Sequence, residues 1–200
     1  MSARAELPVA DERAWLARAV FVLVSPREVF AAIRDDSEEA ARARSEAVLA
    51  LVWLTGIATV LWAPNVGRIM DDRFVQWDAL LIAIVVFVGG GIYGVAGYWI
   101  LGLVLHAAVS PFRFTRSYRQ ARHVLAFASA PVTLSLFLLW PVRLAVYGDD
   151  VFKSGGSDHG AGNYAFVGLE LLFVTWALGL LVLGLRVVRS KASSSFAGIS

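Results

Sequence analysis

Four long apolar stretches, 48–61, 80–105, 124–142 and 171–185, contain no aspartate, glutamate, lysine or arginine. Charge-free runs of this kind leave few possible folds. In hydrocarbon every backbone N–H and C=O must find its partner within the protein, which a helix provides. Each run, with its flanks, is long enough for a transmembrane helix of roughly 20 residues. The expected fold is therefore all-α, a polytopic bundle of about four spans at 46–63, 79–106, 122–147 and 164–188. An apolar content of 58% with only 17% charged residues fits that class and is unusual for a soluble domain.

The flanks refine this outline. Residues 1–45 read as a tail followed by amphipathic helices at the membrane surface, 46–190 as the bundle, and 191–200 as a second tail. A helix over 12–24 carries Trp15, Leu16, Ala19, Val20 and Leu23 at helical spacing, too short a run to span. Glu6, Asp11 and Glu12 precede its apolar part, which argues against a secretory signal. Ser25-Pro26-Arg-Glu28 predicts a capping box, with Val29, Phe30 and Ile33 on one apolar face and Arg27 and Arg34 turned away. The charged run 34–44, in which Ser37 caps and Glu38 pairs with Arg42, reads as a solvated helix continuous with the first span. Pro131 and Pro141 fall inside the third span, where they bend it.

Lysine and arginine number fourteen in the two termini and the 113–122 turn, against four (Arg68, Arg73, Arg143 and Lys153) on the opposite side. By the positive-inside rule both termini and that turn are cytoplasmic, in a multi-pass protein of the plasma membrane. The predominance of arginine, 16 against 2 lysines, points to a GC-rich bacterial genome. A net charge of +2 gives no reason to expect nucleic acid as a partner, and the absence of cysteine excludes thiol chemistry and disulfides.

Candidate functional residues cluster between 89 and 131. Gly90, Gly94 and Gly97 form a small-residue stripe on the second span, a face for helix packing, with a homodimer seam or a lipid groove as its competing uses. Arg113, Arg116, Arg119 and Arg122 recur every three residues, interleaved with Phe112, Phe114 and Tyr118. That pattern suits anionic lipid headgroups, or alternatively an acidic protein partner. Thr115 or Ser117 can cap the helix that restarts there. His106 and His123 bracket the turn at headgroup level; two imidazoles without a nearby carboxylate make a poor metal site, so no metal or cofactor is expected. Asp158-His159 beside Ser154 and Ser157 lacks rigid support for a triad. With Glu170 and Arg143 near the outer ends of their spans, no ionisable group lies mid-membrane, which counts against ion pumping and leaves no catalytic constellation.

Three segments resemble the Yip family (Ypt/Rab-interacting, Yip-domain proteins) in its bacterial branch. They are Ser25-Pro26-Arg-Glu-Val-Phe30, His106 closing a glycine-bearing span, and Phe112-Arg-Phe-Thr-Arg-Ser-Tyr118 followed by Ala126-Phe-Ala-Ser-Ala-Pro131. The Asp-Leu-Tyr-Gly-Pro motif of the eukaryotic branch is absent. The resemblance implies a polytopic membrane protein of unsettled role; from the residues, a non-enzymatic interaction or membrane-organising module is the leading expectation. A small permease or lipid-transport component is the competing expectation.

Overall fold

The computed structural model describes residues 12–62, 79–112, 114–148, 151 and 160–189. Both terminal tails, Arg113, the loop residues Arg68, Arg73, Trp77 and Lys153, and the Asp158-His159 pair lie outside them. The described residues fold as α1 (Glu12–Phe21), α2 (Pro26–Ala32), α3 (Glu38–Ala43), α4 (Ser45–Trp62), α5 (Ala79–Val109), a 3₁₀ turn (Ser110–Phe112), α6 (Tyr118–Ala128), α7 (Ala130–Tyr147) and α8 (Ala161–Arg189). Four segments are long and apolar enough to cross a membrane: Ser45–Trp62, Ala83–Phe112, Tyr118–Tyr147 and Ala161–Arg189.

The third span differs from expectation. It begins at Tyr118, not Arg122, and is broken at Ser129, whose N–H reaches the carbonyls of Leu125 and Ala126. Pro131 consequently sits in the first turn of α7, where a missing N–H costs nothing, and only Pro141 is interior. The charged run also stops short of the first span. Arg44 interrupts it, and Ser45 Oγ donates to the Arg42 carbonyl at 2.7 Å, taking up an acceptor that a continuous helix would have used. At α2 the expected capping box does not form: Pro26 occupies the first turn, but the Ser25 side chain makes no cap bond.

Helix α4 lies at the centre, against α5 on one side and α7 on another. Its approach to α5 is set by glycine. A Cβ on Gly56 would overlap the Gly90 carbonyl and the Gly94 backbone, and one on Gly91 would enter the Trp53 ring. Such contacts bring two backbones together without a side-chain spacer. At Gly97 an added Cβ would meet nothing within 4 Å.

Among the described residues the main buried cluster lies where the N-terminal helices, α4, α6 and the end of α8 meet. Val22, Phe30, Ile33, Val124 and Phe127 are fully buried there. The Phe30 ring rests on Gly184 of α8, where a Cβ would overlap it. Helix α2 is thus inserted against the bundle, with its apolar face on protein. Val20, Phe21 and Val24 remain exposed beside it.

Candidate functional site

The segment joining α2 to α3 fixes the basic turn. Arg34, expected to face away, instead donates from Nε and Nη2 to the Val187 carbonyl at 2.9 and 2.7 Å. It thereby satisfies one of the carbonyls that the end of α8 leaves without an intrahelical donor. Arg44 is fully buried and donates through Nη1 to Asp35 O at 2.8 Å and to Ala32 O at 3.4 Å. Burial pulls its guanidinium below the usual arginine range, an effect that the charges of Asp36 and Asp35 oppose. Asp35, Ser37, Glu38, Glu39 and Arg42 of this run are exposed as expected, while Arg34 and Asp36 are half-buried.

Asp36 meets α6. Arg119 Nε lies 3.0 Å from Asp36 Oδ1, Arg119 Nη2 donates to the Asp36 carbonyl, and Ser117 Oγ donates to Asp36 Oδ2. Ser117 is also the N-cap of α6, accepting from the Gln120 N–H at 3.0 Å, while Gln120 Nε2 reaches Ile33 O at 3.3 Å. Asp35 Oδ1 accepts from the Ser37 N–H at 3.0 Å, and Ser37 Oγ caps α3 through Ala40 N. The bond from Ser37 holds the Asp35 carboxyl below its ordinary value.

The four arginines therefore diverge. Arg113 lies outside the described residues. Arg116 is exposed, and among the described residues its backbone N–H donates to Gln120 Oε1 at 2.9 Å. Arg119 is held by Asp36. Arg122 is packed among three aromatic faces, its guanidinium carbon 3.7 Å from the Trp99 ring centroid, 4.5 Å from Tyr118 and 5.1 Å from Tyr98. Its Nε has no hydrogen-bond partner among the described residues, so ring faces take the place of hydrogen-bond acceptors. Tyr118 Oη donates to the Trp99 carbonyl at 2.7 Å, tying the cage to α5. His106 Nδ1 lies 3.2 Å from Thr115 Oγ1, with its ring against Tyr118. No group of three or more metal-ligating side chains occurs among the described residues. Arg189 sits over Phe114 at 4.7 Å, joining the turn to α8.

Two cavities lie deeper. One, of about 340 Å³, opens between α4, α5 and α6 and is lined by Thr55, Thr59, Tyr93, Gly97, Tyr98 and Ser129 with apolar neighbours. The second, of about 110 Å³, is lined by Thr55, Thr59, Trp62, Ser135, Trp140 and Glu170 among others. Glu170 and Arg143, which the sequence places near separate span ends, form an ion pair at 3.6 Å, with the Glu170 side chain buried and that of Arg143 largely so. Composition and periodicity gave no signal for this pairing, because the two residues belong to different helices; two lone charges at similar depth were the available hint.

A protein-family model described as Yip1 domain matches residues 20–200. No curated protein and no solved structure matches the chain.

Proposed function

The chain belongs to the Yip1 domain family of multi-pass membrane proteins, and on that premise we propose that it is a non-enzymatic interaction and membrane-organising module of a bacterial plasma membrane. The observation that carries this reading is the Asp36 junction. It makes the N-terminal helices, the basic turn and the end of α8 one body. On this reading that body faces the cytoplasm with both termini, in line with the positive-inside count. Its exposed cations Arg27, Arg116, Arg186 and Arg189 surround the core of the platform. Each contributes about 1 kcal/mol of attraction near an anionic leaflet. The exposed Val20, Phe21 and Val24 enter the same interface. Arg113 and Arg116 contact lipid phosphate or an acidic partner, while Arg119 and Arg122 hold the surface in shape.

Substituting Arg113 and Arg116 by glutamine tests this. Co-purification of anionic phospholipid and of interacting proteins should fall while thermal stability is kept. Unchanged retention in a folded variant refutes the assignment. The 340 Å³ groove supports a second reading, a small lipid-transport component. A Cβ at Gly97 meets nothing within 4 Å, so Gly97→Leu extends its side chain into that groove, and loss of lipid flux in proteoliposomes would favour transport.

A further inference from the structure

The smaller cavity has a chemical bias that the platform does not explain. Glu170 is 5% exposed, and its Oε2 has no hydrogen-bond partner among the described residues. The hydroxyls beside it have already committed their hydrogens. Thr59 Oγ1 donates to the Thr55 carbonyl at 2.8 Å, and Ser135 Oγ donates to Val132 O at 2.8 Å. Thr55 is engaged with Ser129 and Thr133 at 2.9 and 3.0 Å. What the hydroxyls and the carboxylate leave for an occupant are oxygen lone pairs. Buried acceptors without donors are costly, and the cost is relieved by an occupant rich in N–H or O–H groups.

Position and walls narrow the class. Helix α8 has 29 residues, about 43 Å at helical rise against a hydrocarbon core of about 30 Å. Glu170, nine residues from its start, therefore lies within the membrane-spanning helix, toward the end opposite Arg186 and Arg189. Trp62, Trp140 and Phe173 line the same space, and aromatic faces attract cations when desolvated. Arg143 approaches the carboxylate at Oε1 and the Trp62 indole N–H also faces the carboxyl group, while Oε2 keeps no hydrogen-bond partner among the described residues and is left to the cavity. We propose that this cavity binds a primary ammonium group, its three N–H donors shared among Glu170 Oε2, Thr59 Oγ1 and Ser135 Oγ. The ammonium belongs either to an aminophospholipid headgroup or to a free small amine. Thr55 and Thr59 line both cavities, so an acyl chain can follow its headgroup into the larger groove.

The test uses the full chain in nanodiscs of phosphatidylcholine doped with phosphatidylethanolamine, with retained lipid read by native mass spectrometry. Choline has no N–H to donate, so the wild type should retain ethanolamine lipid at least about tenfold over its share, the worth of one charge-assisted hydrogen bond. Glu170→Gln should abolish the preference. Ser135→Ala and Thr59→Val, which leave the ion pair intact, should each reduce it several-fold and keep the proposal testable if Glu170→Gln fails to fold. Added ethanolammonium chloride, in discs of phosphatidylcholine alone, separates the two sources. Thermal stabilisation lost in Ser135→Ala identifies a free-amine site, and retention of the lipid without such stabilisation identifies a headgroup site. A folded wild type with neither lipid preference nor amine stabilisation overturns the proposal, as does a preference that survives in both hydroxyl variants.

Discussion

Asp36 and Arg119 stand 83 residues apart in sequence and 3.0 Å apart in the fold. The pair closes the N-terminal segment onto α6, and each partner is only partly exposed to water. Removing the aspartate strands a guanidinium built to meet it. Asp36→Asn should destabilise the protein by about 1–3 kcal/mol, the range for hydrogen bonds to charged groups. It should also make the α2–α3 linker a site of limited proteolysis. Glu38→Gln, which removes the pair with Arg42 at 3.8 Å between two largely exposed side chains, is the control and should change stability by a few tenths of a kcal/mol.

The glycines separate close approach from mere smallness. Gly56→Ala places a methyl against the Gly90 carbonyl, a backbone atom that cannot rotate away, and should cost about 1–3 kcal/mol through overpacking. Gly97→Ala meets open space and should be neutral or stabilising by up to about 1 kcal/mol, since alanine is the better helix former. Thermal unfolding of the two variants in one detergent compares them directly. Equal destabilisation at both positions would show that the α4–α5 seam is not set at Gly56.

Acid should loosen the same end of the molecule through Asp35. Its carboxyl is held below the ordinary value of 3.8 by the bond from Ser37. The folded state thus binds this proton less readily than the unfolded chain. The stabilisation is fully present above the unfolded value and is lost as pH falls through the lower, folded one. Titration of the Asp35 carboxyl by carbon NMR should give a midpoint below 3.8; Ser37→Ala, which keeps the backbone N–H and removes only the smaller contribution of the hydroxyl, should raise it part of the way and leave it below 3.8.

How much of this was legible depends on whether a contact is local. Ser37 caps α3 and Ser117 caps α6 because a cap needs only the next three residues, and the four spans follow from uninterrupted apolar length. Arg34 and Arg44 illustrate the opposite case. In sequence they belong to a charge-laced run that ought to be solvated, yet their partners are carbonyls at the end of α8, at the end of α2 and in the linker that follows it. A helix end offers acceptors that no residue letter announces. The spacing of Arg116, Arg119 and Arg122 was likewise visible, but α6 starts only at Tyr118, so the three do not share one helix. One stays exposed, one is held by a carboxylate, and one by aromatic rings.

Glu170 and Arg143 allow folding and ligand binding to be tested apart. Glu170 is buried and Arg143 largely so, and 3.6 Å separates Arg143 Nη1 from Glu170 Oε1. Losing one partner leaves an unmatched charge, so Arg143→Met alone should cost about 3–5 kcal/mol, and Glu170→Leu alone a similar amount. The double variant removes both charges and restores apolar volume, so it should recover most of that loss. A double-mutant cycle by thermal unfolding measures the coupling. If the cavity exists to hold an ammonium group, the double variant is the telling protein: stable, inserted, and without preference for ethanolamine lipid. Preference retained in that variant would locate recognition elsewhere, because it lacks the one anionic oxygen the cavity offers.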